Sequence, residues 1–288
     1  MKILVTGANG QLGSELKAFS ANYPDFVFDF TDLAELDITN KTACANYIRS
    51  CAPYAVINCA AYTAVDKAET EKEKAHLLNV EAVENLTKAS EQVGAYFIHI
   101  STDYVFDGKS YMPYAESDAT CPQSEYGRSK ELGEKVALRY EKSMIVRTAW
   151  LYSSFGNNFV KTMIRLGSER RELNVVFDQT GTPTYAGDLA SALLQIIDKI
   201  AKGEKHFVAG IYHYSNEGVC SWYDFACSIM ELKGLDCKVN PIETKDYPTP
   251  AQRPPFSVLN KAKIKAAYGI EINRWETSLK KMIQEQGR

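Results

Sequence analysis

A glycine-rich turn follows the first apolar run of the chain. The Ile-Leu-Val run at positions 3–5 leads into Gly7, Gly10 and Gly13, spaced GxxGxxG, one residue longer in its first interval than the GxGxxG fingerprint. The first glycine tolerates the angles of a sharp turn, the second leaves room for a pyrophosphate, and the third lets a helix pack close to the sheet. Free N–H groups of that helix then face the phosphates. The turn predicts a dinucleotide-binding strand–helix unit.

Short β-rich runs alternate with helical patterns through the first half of the chain. Predicted strands cover 2–6, 26–31, 55–58, 96–101 and 144–148, and predicted helices cover 11–19, 41–50, 72–93 and 124–140. A further strand is predicted at 175–177 and a further helix at 186–200. This alternation is typical of βαβ units, so we expect an α/β fold with a Rossmann-type doubly wound parallel sheet.

The sequence changes in character from about residue 210. Aromatic residues, short apolar runs and proline-rich stretches at 247–250 and 253–255 replace the regular alternation. We therefore expect a smaller C-terminal α/β lobe that binds the substrate. The predicted division is interleaved, with 1–150 and about 173–209 in the dinucleotide-binding domain, and about 151–172 and 210–288 in the lobe.

Composition favours a small-molecule substrate. The net charge of −3 gives no field that would attract nucleic acid or an anionic membrane. Seven scattered cysteines without a CxxC pair indicate free thiols of a reducing compartment rather than a metal site or disulfide framework. The first apolar run ends at Thr6, too early for a signal peptide or membrane span, so a cytoplasmic protein is expected.

An acidic residue near the end of the second strand is expected to bind the adenosine ribose. Asp29 and Asp32 are both candidates, and Asp32 is favoured because it lies just past the apolar run. Leu33 follows where an arginine would meet a 2′-phosphate, so use of both NADPH and NADH is expected. Asp37 and Ile38 are candidates to approach the adenine, although a helix cap at Asp37 is an alternative.

Tyr126 and Lys130 lie four residues apart, which places both on one face of a helix. A free tyrosine has a pKa of about 10, too high for efficient proton exchange at neutral pH, and a neighbouring ammonium lowers it. A solvated helix face is the alternative. The preceding predicted strand ends near Thr102, where a hydroxyl can hydrogen-bond a carbonyl oxygen on which charge develops. The three residues together predict a carbonyl reductase.

Several motifs resemble those of the extended short-chain dehydrogenase/reductases. These are TGxxGxxG, the stretches 58–69 and 101–108, and the YGxSK motif at 126–130. More narrowly, the stretches 147–152, 156–159 and 178–184, and Arg253-Pro254 with Ser257 and Leu259, resemble the dTDP-4-dehydrorhamnose reductase family. The resemblance spans nearly the whole chain.

The resemblance implies roles for individual residues. Tyr126 is the implied acid, Lys130 its pKa modulator and Thr102 the third catalytic residue. The implied cofactor contacts are Gly7, Gly10, Gln11, Leu12, Gly13, Asp32, Asp37, Ile38, Ala61, Tyr62, Thr63, Tyr126 and Lys130. The implied substrate contacts are Thr102, Asp103, Tyr104, Trp150 and Arg253. A ligand-free buried tryptophan is the alternative for Trp150, and a surface charge is the alternative for Arg253, which otherwise suits the substrate diphosphate.

The resemblance also implies an activity, which is reduction of the C4 keto group of dTDP-4-dehydro-β-L-rhamnose. Two alternatives stay open: a reductase of a related 4-keto nucleotide sugar, and a non-catalytic nucleotide-binding subunit like that of methionine adenosyltransferase. An epimerase or dehydratase is disfavoured because no glutamate follows Asp103. Some relatives form Mg²⁺-bridged dimers through a residue matching Glu15, but no partner for it is found near Gly187 and Asp188. A monomer or weak homodimer without metal is therefore expected.

Overall fold

The computed structural model describes residues 1–285. The strands are β1 Lys2–Thr6, β2 Val27–Thr31, β3 Ala55–Asn58, β4 Tyr96–Thr102, β5 Ser143–Thr148, β6 Leu151–Tyr152, β7 Glu172–Val176, β8 Thr180–Gly181, β9 Thr184–Tyr185, β10 Gly210–His213, β11 Cys220–Ser221 and β12 Lys238–Ile242. The helices are α1 Gln11–Phe19, α2 Lys41–Cys51, α3 Val65–Ala68, α4 Lys72–His76, α5 Ala82–Val93, α6 Glu125–Ala137, α7 Phe159–Glu169, α8 Ala186–Ala201, α9 Trp222–Lys233, α10 Ala262–Tyr268 and α11 Trp275–Glu285.

Six parallel strands form the central sheet in the order β2-β1-β3-β4-β5-β10. Every residue of β3 and β5 is buried, because helices cover both faces of the sheet. The predicted doubly wound parallel sheet is confirmed. The chain reverses its direction of travel across the sheet between β1 and β3, and a ligand crevice forms at such a switch point beyond the carboxyl ends of the strands.

Two apolar layers sandwich this sheet. On one face α1, α8 and α10 contribute Leu16, Leu193 and Ile264 to a buried cluster. On the other face α2 and α5 contribute Ile48 and Leu86. The sheet is therefore held rigidly, which fixes the positions of the strand ends that face the crevice.

A smaller lobe has its own apolar cluster. Helices α7, α9 and α11 supply Val160, Phe225 and Leu279 to it. The parallel pair β7–β12 lies beside these helices, and Leu173 and Val175 of β7 point into the cluster while Glu172 and Asn174 point outward. This one-sided burial distinguishes β7 from β3 and β5, which are buried on both faces.

The structure divides the chain between the two lobes differently from the sequence prediction. The strand predicted at 175–177 lies at Glu172–Val176, and it packs in the lobe rather than with the cofactor domain. Conversely, the sequence predicts residues 210–288 in the lobe, yet β10 is the edge strand of the central sheet and α10 packs on the same layer as α1. Pairing between segments distant in sequence decides both placements.

The helix predicted at 72–93 is interrupted. A π-helical turn at Leu77–Glu81 separates α4 from α5. Such turns often occur at functional sites because the extra residue redirects a side chain. Among residues 1–285, no helix combines the length and apolar character that crossing a membrane requires.

Candidate active site

The glycine turn has the geometry that a dinucleotide requires. Gly7 has φ +67°, and a Cβ there would lie 2.6 Å from the backbone nitrogen of Ala60. A Cβ on Gly13 would lie 2.4 Å from the Gly7 carbonyl oxygen, whereas one on Gly10 would meet only that oxygen, at 3.2 Å. Gly10 caps α1 without a side chain, so the first N–H groups of the helix are left for a ligand. The turn therefore fits a pyrophosphate.

A cleft of about 1130 Å³ runs from this turn along the carboxyl ends of the central strands to the lobe. It exceeds the range of about 300–1,000 Å³ that suits one drug-sized ligand, so it has room for a dinucleotide and a second substrate. The predicted site residues that line it are Gly7, Gly10, Gln11, Leu12, Gly13, Asp32, Asp37, Ile38, Ala61, Tyr62, Thr63, Thr102, Asp103, Tyr104, Tyr126, Lys130 and Trp150.

Asp32 lines the cleft beside the glycine turn. Its carboxylate accepts hydrogen bonds from the backbone N–H of Asn9, at 2.9 Å, and of Leu33, at 2.8 Å. Asp29, the other candidate, lies outside the cleft lining and accepts the hydroxyl of Tyr47. The geometry therefore favours Asp32. The Leu33 side chain is 72% exposed, which places an apolar group where a 2′-phosphate would seek a cation.

Asp37 stabilises a local turn rather than a helix end. Its carboxylate accepts hydrogen bonds from the backbone N–H and the hydroxyl of Thr39. Asn40 is the residue that caps α2, through a 3.0 Å bond from the backbone N–H of Ala43. The helix-cap alternative for Asp37 is thus wrong, and Asp37 lines the cleft together with Ile38.

Asn79 holds the segment that follows β3, and sequence reasoning missed it. It lies on the π-helical turn, is fully buried, and its Oδ1 accepts the N–H of Tyr62 at 2.9 Å. Its Nδ2 donates to the Tyr62 carbonyl and to the Ser129 hydroxyl of α6. One amide thereby fixes the cofactor-lining segment against the helix that carries Tyr126. A lone asparagine in a helical pattern gave no signal of this.

The tyrosine end of the cleft depends on close packing of α6. Ser124 caps the helix, and a Cβ on Gly127 would lie 2.2 Å from the Tyr104 carbonyl oxygen. This approach brings the rings of Tyr104 and Tyr126 into an edge-to-face contact with centroids 5.5 Å apart. Burial raises the pKa of the Tyr126 phenol to about 12, while hydrogen bonding with Thr102 opposes the rise. The phenol is therefore protonated at neutral pH and able to donate.

The sequence predicts that the ammonium of Lys130 pairs with the phenol of Tyr126, but in the structure Lys130 has other partners. Its Nζ donates to the Ile100 carbonyl at 2.6 Å and lies 3.3 Å from Nε2 of His99. The side chain is almost fully buried, and this burial lowers the pKa of Lys130 to about 8. The helical spacing correctly placed Lys130 one turn from Tyr126, but the backbone carbonyl at the end of β4 competes for its protons.

Asp103 is a buried carboxyl next to Thr102. The Thr102 hydroxyl donates to its Oδ1 at 2.9 Å, whereas its Oδ2 has no hydrogen-bond partner among residues 1–285. Burial raises the pKa of Asp103 to about 6, against the opposing effect of the hydrogen bond from Thr102. Asp103 lines the cleft, and a buried carboxyl oxygen without a partner is rare in folded proteins, so Asp103 is a candidate polar contact for a ligand.

Two tryptophans form one aromatic wall of the cleft. Trp150, with φ +49°, stacks on Trp222 at a centroid distance of 3.6 Å. Both line the cleft, so the alternative of a core tryptophan without access to ligand does not describe Trp150. Sequence reasoning missed Trp222, which begins α9 and is distant from Trp150 along the chain.

Arg253 is engaged by a carboxylate outside the cleft lining. Its guanidinium makes a two-pronged ion pair with Asp66 of α3, with contacts of 2.8 Å and 2.7 Å. The backbone N–H of Ala251 donates to the same carboxylate. These bonds fasten the proline-rich segment to the cofactor domain. Contact with a substrate diphosphate stays a prediction.

Glu15 lies in the interior rather than on a free surface. Its carboxylate accepts the Ser153 hydroxyl at 2.6 Å, and burial raises its pKa. Tyr185, Glu285 and Lys281 are its other ionisable neighbours. Within residues 1–285, no group of three or more histidine, cysteine, aspartate or glutamate side chains has the arrangement of a metal site.

The fold and the cleft together define a Rossmann-type α/β protein with a nucleotide-binding cleft at the carboxyl ends of its strands. The family model described as the RmlD substrate binding domain matches residues 1–288, and the chain belongs to this family.

Named relatives resemble the chain over its whole length. A dTDP-4-dehydrorhamnose reductase of Aggregatibacter actinomycetemcomitans is 45% identical, with 97% of each chain covered. The crystal structure of a dTDP-4-dehydrorhamnose reductase from Clostridium acetobutylicum is 45% identical, with 100% of each chain covered and a TM-score of 0.94. That of the Bacillus anthracis enzyme in complex with NADP is 38% identical, with 99% of each chain covered and a TM-score of 0.93.

Proposed function

We propose that this protein is an NAD(P)H-dependent reductase that converts dTDP-4-dehydro-β-L-rhamnose to dTDP-β-L-rhamnose. The observation that carries the proposal is the shared cleft, which is lined by the glycine turn after β1, by Thr102 at the end of β4 and by Tyr126 of α6. The full-length relatives named for this activity support the choice of substrate.

Bound NADH or NADPH supplies the hydride. Gly10 and the N-terminus of α1 hold the pyrophosphate, and Asp32 accepts hydrogen bonds from the adenosine ribose. Asp32 already accepts two backbone N–H bonds, which fix its carboxylate in place. Leu33 neither attracts nor blocks a 2′-phosphate, so both cofactors are accommodated.

The protein's own residues manage the proton. Tyr126 donates its phenolic proton to the C4 oxygen, and the Thr102 hydroxyl stabilises the charge that develops there. Lys130, whose pKa is lowered to about 8 by burial, returns a proton to the phenolate after turnover. Asp103 and Tyr104 contact the sugar, and the Trp150–Trp222 wall packs against the apolar face of the deoxysugar or its nucleotide.

The test is oxidation of NADPH, and separately of NADH, by purified protein given enzymatically prepared dTDP-4-dehydrorhamnose. We expect turnover with both cofactors. Tyr126→Phe keeps the aromatic ring but loses the proton, so its kcat should fall about 10²–10⁴-fold. The matched control is Tyr111→Phe, a tyrosine that is 91% exposed and outside the cleft, whose turnover should equal that of the native chain.

Other outcomes point to other functions. Turnover that Tyr126→Phe retains would refute the proposed mechanism. Turnover of a different 4-keto nucleotide sugar in place of this one would change the substrate but keep the chemistry. Tight nucleotide binding without any turnover, together with stoichiometric recovery of a methionine adenosyltransferase, would indicate the regulatory-subunit alternative.

Assembly and location belong to the same proposal. We propose a monomer or weak homodimer that acts in the cytoplasm. All seven cysteines are free thiols, which suits a reducing compartment.

A further inference from the structure

A row of buried polar side chains crosses the sheet beneath Lys130. Asn58 at the end of β3 contacts His99 of β4, with 3.0 Å between Nδ2 and Nδ1. His99 in turn contacts Lys130 of α6, with 3.3 Å between Nε2 and Nζ. Asn58 and His99 are 0% exposed and Lys130 is 2% exposed. The proposed mechanism gives His99 and Asn58 no role.

The backbone N–H of Ala60 fixes which way the side-chain amide of Asn58 faces. Its Oδ1 accepts the backbone N–H of Ala60 at 3.1 Å and the hydroxyl of Thr6 at 2.7 Å. Because a backbone N–H only donates, the amide oxygen must face Ala60 and the amide nitrogen must face His99. Nδ1 of His99 is therefore an acceptor, and the neutral ring carries its proton on Nε2.

This tautomer presents a donor to Lys130. An ammonium has three donors and no acceptor, so it cannot form a hydrogen bond with an N–H. A neutral amine can accept from Nε2–H of His99 while it donates to the Ile100 carbonyl, at 2.6 Å. The hydrogen-bond pattern therefore favours the uncharged form of Lys130.

The charged groups around Lys130 do not reverse this preference. The negative charge of Glu134 on α6 favours the ammonium form of Lys130. Its carboxylate, however, already accepts hydrogen bonds from Arg147 of β5, at 2.8 Å and 2.6 Å, and from the Ser101 hydroxyl. Cys59, which follows β3, is the other titratable neighbour, and burial raises the pKa of its thiol far above the ordinary value. Tyr126, on the same helix as Lys130, has its pKa raised as well.

His99 itself stays neutral. Burial, reinforced by Lys130, holds the pKa of His99 well below its ordinary value. The ring is therefore a fixed hydrogen-bond partner rather than a group that takes up the proton.

We propose that His99 is a positioning residue: held by Asn58 as its Nε2–H tautomer, it favours the neutral amine of Lys130 and sets the pH above which reduction fails. The kinetic part of this inference rests on the proposed function. Donation by Tyr126 leaves a phenolate, which the ammonium of Lys130 stabilises and then reprotonates, so activity falls as Lys130 loses its proton. Any change that stabilises the ammonium must move this fall to higher pH.

Asn58→Asp tests the tautomer with almost no change in shape. A carboxylate only accepts, so the ring proton moves to Nδ1 and Nε2 becomes an acceptor for the ammonium. The basic limb of the kcat/KM profile should move up by about one pH unit or more, which corresponds to roughly 1.4 kcal/mol. His99→Gln is the second variant: it presents an amide oxygen to Nζ and should move the limb in the same direction without a new charge.

The control is Thr6→Val. It removes the hydroxyl bond to Asn58 but keeps the Ala60 N–H, so the orientation of Asn58 and the pH profile should be unchanged. A basic limb that stays in place in both Asn58→Asp and His99→Gln would overturn the inference, as would an equal shift in Thr6→Val.

NMR of protein with ¹⁵N-labelled histidine gives a readout that does not depend on activity. The chain has four histidines, and the signals lost in His99→Gln identify His99. We expect an Nε2–H ring that does not titrate through the neutral range, and an Nδ1–H ring in Asn58→Asp. A native ring with its proton on Nδ1, or one that titrates, would refute the inference. Absence of native turnover with an Nε2–H ring would instead refute the proposed function and leave the tautomer established.

Discussion

At the scale of single residues, burial displaces the pKa values of the side chains on which the proposed proton transfer and sugar contact depend. The pKa of Tyr126 is raised to about 12, that of Lys130 is lowered to about 8, and that of Asp103 is raised to about 6. Each displacement favours the uncharged form, because a charge loses its hydration when it is buried. Tyr126 therefore keeps a proton to give, and Lys130 releases one readily.

Asp103 should reduce the stability of the native protein at neutral pH. Its pKa rises from 3.8 to about 6 on folding, so ionisation favours the unfolded chain and stability falls as pH rises from about 4 to 6. Asp103→Asn removes this cost and places an amide near the Ser257 hydroxyl. The variant should be more stable than the native chain by at most roughly 3 kcal/mol at pH 7, and equal to it near pH 4. Urea unfolding across pH measures the difference.

Asp107→Asn is the matched control for this prediction. Hydrogen bonds from the backbone of Lys109 and from Tyr114 lower the pKa of Asp107, so its ionised form stabilises the folded state. That contribution is lost as pH falls through the lowered pKa, and Asp107→Asn should be less stable than the native chain at pH 7. An Asp103→Asn variant that is also destabilised at pH 7 would show that the carboxylate has a compensating partner.

At the scale of elements, α1 depends on two glycines for different reasons. A Cβ on Gly13 would overlap the Gly7 carbonyl and the Ala8 backbone, so Gly13→Ala should destabilise the fold by about 1–3 kcal/mol. Gly10 has φ −74°, and a Cβ there would make one tight contact, 3.2 Å from the Gly7 carbonyl oxygen, which a small shift can relieve. Gly10→Ala should cost about 1 kcal/mol or less yet weaken NADH binding tenfold or more, because its methyl group occupies the space of the pyrophosphate.

Thermal unfolding and calorimetric titration with NADH separate the two effects. Equal losses of stability in both variants would show that Gly10, like Gly13, serves only the packing of α1. Equal losses of NADH affinity with unchanged stability would contradict the role assigned to Gly13.

The sequence could predict those parts of the fold and of the candidate site whose residues lie close together along the chain. The glycine turn, the acidic end of β2 and the Tyr126–Lys130 pair each lie within one strand, turn or helix, so local spacing was enough to place them. Contacts between distant segments could not be predicted: Trp222 stacks on Trp150, Asn79 fixes Tyr62, and His99 meets Lys130 only after the sheet and α6 assemble. The partition of β7 and β10 depends on strand pairing in the same way.

At the scale of the whole molecule, a small set of polar contacts joins the two lobes over the cleft. Asn158 at the start of α7 donates to Gln11 of the glycine turn at 3.0 Å, and Ser153 donates to Glu15 of α1. Arg253 pairs with Asp66 of α3. The lobe is therefore attached to the elements beside the glycine turn, and this attachment couples the position of a bound cofactor to that of the substrate.

Asp66→Asn tests whether the Arg253 pair shapes the site. The two side chains are 20% and 40% exposed, so loss of the pair should cost less than about 1 kcal/mol of stability. The substrate KM should rise severalfold while kcat changes little, because the proline-rich segment loses its attachment. Steady-state kinetics measure both constants. A lower KM would instead indicate that the freed guanidinium binds the substrate diphosphate, as predicted from the sequence.

The most direct test of the central claim is transfer of deuterium from NADH carrying deuterium at the reactive C4 position of its nicotinamide. If the cleft aligns the nicotinamide with the keto carbon, the native chain should give dTDP-rhamnose one mass unit heavier, with the label at C4 of the sugar by NMR. Tyr126→Phe should give this product far more slowly. A product without the label, or with the label at another carbon, would contradict the account.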